Sequence, residues 1–186
     1  MFNCKLSDEA ELRLLEERDT EELFTLINRN HERLLMWVPW LSNTDSLEHT
    51  RNFIKRKLQR FADNNGFVAG IWYQGALVGE IALEYIDWSN RMTEIGYWLD
   101  SDVEGKGLVT KACKVLIAYA FDNLELNRVQ IRCATENLKS RAIPERLGFT
   151  QEGVLRQIER LHDRYVGLVI YGMLANEWQT VVGKSS

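Results

Sequence analysis

Apolar positions along the chain switch between two periods, and the switches mark the elements. Glu11–Leu15 alternates like a short strand, whereas Leu23, Leu26 and Ile27 share one helical face behind Asp19, which is placed to cap a helix starting near Thr20. Beyond Trp37-Val38-Pro39-Trp40, Asp45 and Glu48 have capping-box spacing. Leu47, Ile54, Leu58 and Phe61 then form the stripe of a long helix that Asn65-Gly66 stops. Three strands follow, Phe67–Tyr73, Leu77–Tyr85 and Thr93–Leu99; a tight turn at Gln74-Gly75 and a looser one at Ser89-Asn90 make them an antiparallel meander. A helix over Val109–Asn123 turns Ala112, Val115, Leu116, Tyr119 and Ala120 inward. Val129–Ala134 is a buried strand, Leu138–Leu147 a short helix closed by Gly148, and Thr150–Leu161 and Tyr165–Leu174 are strands flanking His162-Asp163. The order β-α-α-β-β-β-α-β-α-β-β predicts an α/β fold, one mixed sheet covered by helices.

Composition narrows the class. Of 186 residues, 45% are apolar and 27% charged, which suits a packed core and rules out disorder or a fibrous repeat. With two prolines and no Gly/Ser linker, a single domain over 1–182 is expected, followed by a loose tail at 183–186. The net charge of −4 has the wrong sign for a protein that grips nucleic acid or an anionic membrane, and no run is long and apolar enough to span one. Arg51, Lys55, Arg56, Lys57 and Arg60 read as a solvated helix face. Cys4, Cys113 and Cys133 show no CxxC or Cys/His ligand spacing, so neither a disulfide framework nor a metal site is expected. That usage, and an N-terminus without an apolar leader, point to the cytoplasm. His31, His49 and His162 are scattered, and no G-x-S-x-G elbow supports a hydrolase.

The densest chemistry lies in Glu94-Ile-Gly-Tyr-Trp-Leu-Asp-Ser-Asp-Val-Glu-Gly-Lys-Gly-Leu-Val-Thr110. A strand ends, Gly105 and Gly107 permit unusual backbone angles, and a helix starts at once. Such a turn aims free N–H groups and the positive end of a helix dipole at one spot, a pocket for phosphate or diphosphate. A plain helix-entry turn is the competing reading. Lys106 precedes Gly107, and Leu108 stands where a Walker loop needs a hydroxyl; the third glycine of a dinucleotide fingerprint is also missing. Asp100, Asp102 and Glu104 crowd the approach and must face away from such a ligand.

Glu94–Tyr119, with Asn127-Arg128-Val129, Asn137, Ser140 and Arg146–Gly153, resembles the Gcn5-related N-acetyltransferase superfamily, and within it the ribosomal-protein N-terminal acetyltransferases of the RimJ/RimL type. The resemblance runs over nearly the whole chain. The superfamily's phosphate loop usually reads Gln/Arg-x-x-Gly-x-Gly/Ala; Glu104-Gly-Lys-Gly107-Leu-Val109 departs at the first and last positions. The resemblance implies acetyl-CoA as cosubstrate, its diphosphate on the amides of Glu104, Gly105, Lys106, Gly107, Leu108, Val109 and Thr110, and its thioester beside Trp98 and Leu99. It implies a parting of the strand Glu94–Leu99 from the strand Val129–Ala134, with Asn137 near the pantetheine. It also implies Glu159 as base and Ser140 as the acid that protonates the departing thiolate.

The residues leave alternatives open. Glu159 is equally a strand-edge acid paired to Arg156 or Arg160. Glu94 is a competing base, or else a solvated rim residue. Ser140 is a candidate helix cap, and Asn137 a candidate loop holder. Trp37 and Trp40 either wall a peptide pocket or form a core edge, and Cys133 reads as a small buried residue beside the cofactor gap. The acceptor that the resemblance implies is a protein N-terminal amine, such as that of a ribosomal protein; a small amine such as a polyamine or antibiotic, or a non-catalytic acyl-CoA-binding module, are the alternatives, with a homo-oligomer left open.

Overall fold

In the computed structural model, residues 3–38, 41 and 46–183 are described; Pro39, Trp40, Asp45 and the tail beyond Gly183 lie outside the described residues. Eight strands form one sheet: β1 (Asn3–Lys5), β2 (Ala10–Leu14), β3 (Phe67–Tyr73), β4 (Ala76–Asp87), β5 (Met92–Leu99), β6 (Arg128–Ala134), β7 (Thr150–Leu161) and β8 (Arg164–Leu174). Their spatial order is β1-β2-β3-β4-β5-β6-β8-β7, and every pairing is antiparallel except that of β5 with β6. The helices are α1 (Thr20–Arg29), α2 (His31–Leu35), α3 (Leu47–Ala62), α4 (Leu108–Ala118), α5 (Leu138–Arg146) and α6 (Ala175–Gly183).

The sheet carries a core on each face. Leu23 and Ile27 of α1 and Phe53 and Ile54 of α3 bury against Val68, Trp72, Ala82 and Trp98. On the opposite face Ala112, Cys113 and Leu116 of α4 pack on Ile81, Ile95, Val129 and Tyr171. Burying each Leu or Ile side chain contributes about 1.5–3 kcal/mol, which is why the two stripes set which face each helix takes. The β3–β4 turn has Gln74 at φ 50° and Gly75 at φ 83°, the paired positive angles that match a tight hairpin to strand twist.

Several details differ from the sequence expectation. β1, α2 and α6 were not expected; β1 and α2, of 3 and 5 residues, are too short to show a period. Asp19 does not cap α1: its carboxylate turns back to accept from the Glu16 amide at 2.8 Å, closing a 3-10 turn before the helix. Ser46 is the cap of α3, its hydroxyl accepting from the His49 amide at 3.2 Å. The expected helix to Asn123 is α-helical only to Ala118 and continues as a π turn over Tyr119–Asn123. Nor are Lys57 and Arg60 merely solvated, since both reach Glu84 of β4, Lys57 at 2.9 Å and Arg60 through the Glu84 carbonyl.

Candidate active site

The site starts from a strand pair that does not stay paired. β5 and β6 are in register only at Met92–Arg128, Thr93–Val129 and Glu94–Gln130; beyond Glu94 the ladder ends while β5 continues along β4 to Leu99. The Asp100 amide donates to Val78 of β4 at 2.7 Å. Strand alternation therefore turns the amide of Trp98 toward β4 and those of Tyr97 and Leu99 toward the opening. Trp98 contributes its side chain instead, 8% exposed and packed among α1 and α3 residues. The Leu99 carbonyl accepts from Arg33 of α2.

At the end of β5 a 3-10 turn, Ser101–Val103, leads into Glu104 and then Gly105 and Gly107 at φ +80° and +74°. A Cβ at either glycine would meet nothing within 4 Å, so backbone conformation rather than space calls for glycine there. Gly107 is the N-cap of α4 and supplies no side-chain acceptor, which leaves the first-turn amides at Leu108, Val109 and Thr110 without partners in the helix. The Leu108 and Val109 side chains are buried beneath them. The Thr110 hydroxyl accepts from Arg146 at 3.0 Å, and the Lys106 ammonium lies 5.5 Å from the Tyr73 ring centre. The three nearby acids are turned aside: Asp100 is buried on Arg29 and Asn30, Asp102 lies against the Ser101 hydroxyl, and Glu104 pairs with Arg33 and Lys139. Free donors gathered at one helix start are what a diphosphate needs.

Two sets of groups flank the parting strands, one on each face. On the α4–α5 side, Asn137 caps α5 by accepting from the Ser140 amide at 3.1 Å, so Ser140 is not the cap. The Ser140 hydroxyl is left to lie 3.3 Å from the Cys133 sulfur, and the partly buried Tyr97 donates its hydroxyl to the Ser140 carbonyl at 2.8 Å. Burial pushes the Cys133 thiol up, away from thiolate.

On the α1–α3 side stand two carboxylates. Glu94 is no solvated rim residue: it is 8% exposed and accepts from Gln130 at 2.8 Å and Arg132 at 2.7 Å. Glu159 is half-buried and, among the described residues, has neither a hydrogen bond nor an ion pair, with Arg156 and Arg160 included. Burial raises its carboxyl pKa; the nearby Arg132 pulls it down and Glu94 pushes it up. Those two neighbours place Glu159 beside the point where β5 and β6 part. A bulge between Leu155 and Glu159, with Gln157 at φ 51°, sets this placement and breaks the register with β8. Trp37 packs on a small cluster of Ala134, Leu161, Val166 and Leu168, with the Arg164 guanidinium 5.6 Å from its ring centre. It is a core edge bordering this side, and Trp40 lies outside the described residues.

Comparison with known proteins identifies this architecture. Residues 10–150 match the family model for the acetyltransferase (GNAT) domain. The chain belongs to the GNAT acetyltransferases. It is 45% identical to "Putative ribosomal N-acetyltransferase YdaF" of Bacillus subtilis, covering 96% of this chain and 98% of that one. It is 31% identical to the ribosomal-protein-serine acetyltransferase of Escherichia coli, over 91% of this chain and 95% of that one. A solved RimL ribosomal L7/L12 alpha-N-protein acetyltransferase in complex with coenzyme A superposes with a TM-score of 0.91 at 25% identity, over 95% of this chain and 99% of that one. The GNAT protein described here is accordingly an N-acetyltransferase that uses acetyl-CoA. Its open amides and parted strands fit that cosubstrate. Among the described residues no cluster of three or more His, Cys, Asp or Glu is arranged to hold a metal.

Sequence reasoning missed Arg33, Tyr97, Arg132 and Lys139, which border the site through contacts between elements distant in the chain. It also missed Glu80, buried on β4 opposite Trp98 in the ladder, whose Oε2 has no hydrogen-bond partner among the described residues. A charged residue inside an otherwise apolar strand was the available signal for Glu80. The others carried none.

Proposed function

We propose that this enzyme acetylates the N-terminal α-amine of a protein, a ribosomal protein by the analogy of its relatives, with Glu159 as general base and Ser140 as general acid. One observation carries the reading: a half-buried carboxyl, unpaired among the described residues, on one face of the parted strands and a serine hydroxyl not spent on capping its helix on the other. Bound acetyl-CoA supplies the activated acetyl group. The amides of Gly105–Thr110 hold the diphosphate, and the amides of Tyr97 and Leu99 donate to the acetyl oxygen, where negative charge grows during attack. Glu159 accepts the amine's proton directly or through one water, and Ser140 gives a proton to the leaving sulfur.

An α-amine, with a pKa near ~8, is substantially neutral at the pH of the cytoplasm, where this reaction belongs, whereas a lysine at ~10.4 is not. A carboxyl base raised chiefly by partial burial suits the weaker amine. Trp37 and the unpaired Glu159 border the side from which an acceptor enters.

The test is intact-mass measurement of ribosomal proteins and of spermidine after incubation with acetyl-CoA. One added acetyl, mapped to an N-terminal peptide, is the expected result. Modification of spermidine alone would replace the proposed acceptor with a small amine, and binding without turnover would leave only an acyl-CoA-binding module.

A further inference from the structure

The gap between β5 and β6 is crossed at its open end by one carboxylate. Glu104 follows β5, Lys139 follows β6, and their side chains meet at 2.6 Å. The same carboxylate takes Arg33 of α2 at 2.9 Å. Three segments separated in the chain are thus tied together at the entry to the loop of Gly105 and Gly107.

We infer that Glu104 is a built-in substitute for the cosubstrate's phosphoryl anion: it holds Arg33 and Lys139 while the enzyme is empty and yields them to the diphosphate on binding. This rests on the acetyl-CoA reading of the Gly105–Thr110 amides. Three features support an exchange. Arg33 is anchored independently of Glu104, donating to Asn30 at 3.0 Å and to the Leu99 carbonyl, so it keeps its place when the acid leaves. The Lys139 side chain is 81% exposed and free to follow either anion. Glu104 adjoins Gly105, around which a Cβ would meet nothing within 4 Å, so no neighbouring atom at that position blocks a shift of Glu104. The Lys139 pair is exposed and holds weakly in water, whereas a diphosphate brings more charge to the same two cations and to the helix N-terminus.

Glu104 therefore competes with the cosubstrate and lowers its affinity, while Lys139 raises it. Calorimetric titration of CoA into the wild-type protein, Glu104→Gln, Lys139→Gln and the double variant tests this at low and moderate salt. Glu104→Gln is expected to bind roughly five- to tenfold tighter and Lys139→Gln about threefold weaker, the gap between the two narrowing with added salt. The double variant should fall between them. Thermal unfolding of each variant confirms that the fold persists. Glu104→Gln binding no tighter than wild type, or Lys139→Gln binding unchanged, overturns the exchange while CoA binding by the wild type keeps the enzyme reading intact. Absence of CoA binding by the wild-type protein itself removes both.

Discussion

Glu80 and Glu159 are two carboxyls on the same side of the sheet, both pushed up by burial, with opposite prospects. Glu80 is 6% exposed, lies beneath α1 and α3 with its Oε2 unpartnered among the described residues, and is raised to about 7. The Trp98 indole and Lys57 moderate that rise without cancelling it. Glu159 is half-buried at the edge of the parted strands, where Arg132 offsets part of its rise. A raised pKa is therefore no mark of a base by itself. Burial produces the shift in both, and access to an acceptor separates them.

The sharpest break of that comparison is Glu159→Gln. It should lower kcat/KM by about 100-fold or more and flatten the acid limb of the rate–pH profile, with CoA affinity unchanged in titration. An intact acid limb would transfer the role to another group.

Glu80→Gln should act on stability instead. The folded carboxyl, at about 7, binds its proton more tightly than the unfolded one, at 4.5. Its contribution is full below pH 4.5 and erodes as pH climbs toward 7. The neutral variant should thus match wild type in acid and exceed it by roughly 3 kcal/mol above neutrality, measured by denaturant unfolding at several pH values. A constant difference across that range would show that charge is not the cause.

Smaller effects come from the opposite face. Ser140→Ala should cost roughly tenfold in kcat, because an acid that only protonates a good leaving group is partly replaceable by water. Asn137→Ala removes the cap of α5 and should lower stability by about 1 kcal/mol, read as a shift in denaturation midpoint; an accompanying fall in kcat would follow from a displaced Ser140.

Much of the fold was legible because its main elements are long and amphipathic. The stripes of Leu23, Leu26, Ile27 and of Ala112, Leu116 specify inward faces before any tertiary contact is known. The Gly105–Gly107 turn was legible for a local reason, since positive φ angles leave a sequence mark. The rim alternative for Glu94 failed on contacts from a distant segment, whereas the cap alternative for Ser140 failed on a local competitor at the same helix start. Glu94 is buried by Gln130 and Arg132 from the adjacent strand, and Asn137 takes the cap ahead of Ser140.

From the sequence alone came the alternation of helices and strands, the face each presents, and the glycine turn at the start of α4. The tertiary structure alone decided that β5 leaves β6 after Glu94, that Glu159 stands beside that opening with no partner among the described residues, and that Glu104 joins Arg33 to Lys139. The reason is range. Periodicity and turn angles are properties of neighbouring residues, whereas a strand gap, an ion partner and a carboxyl's burial depend on what distant segments bring to the same place.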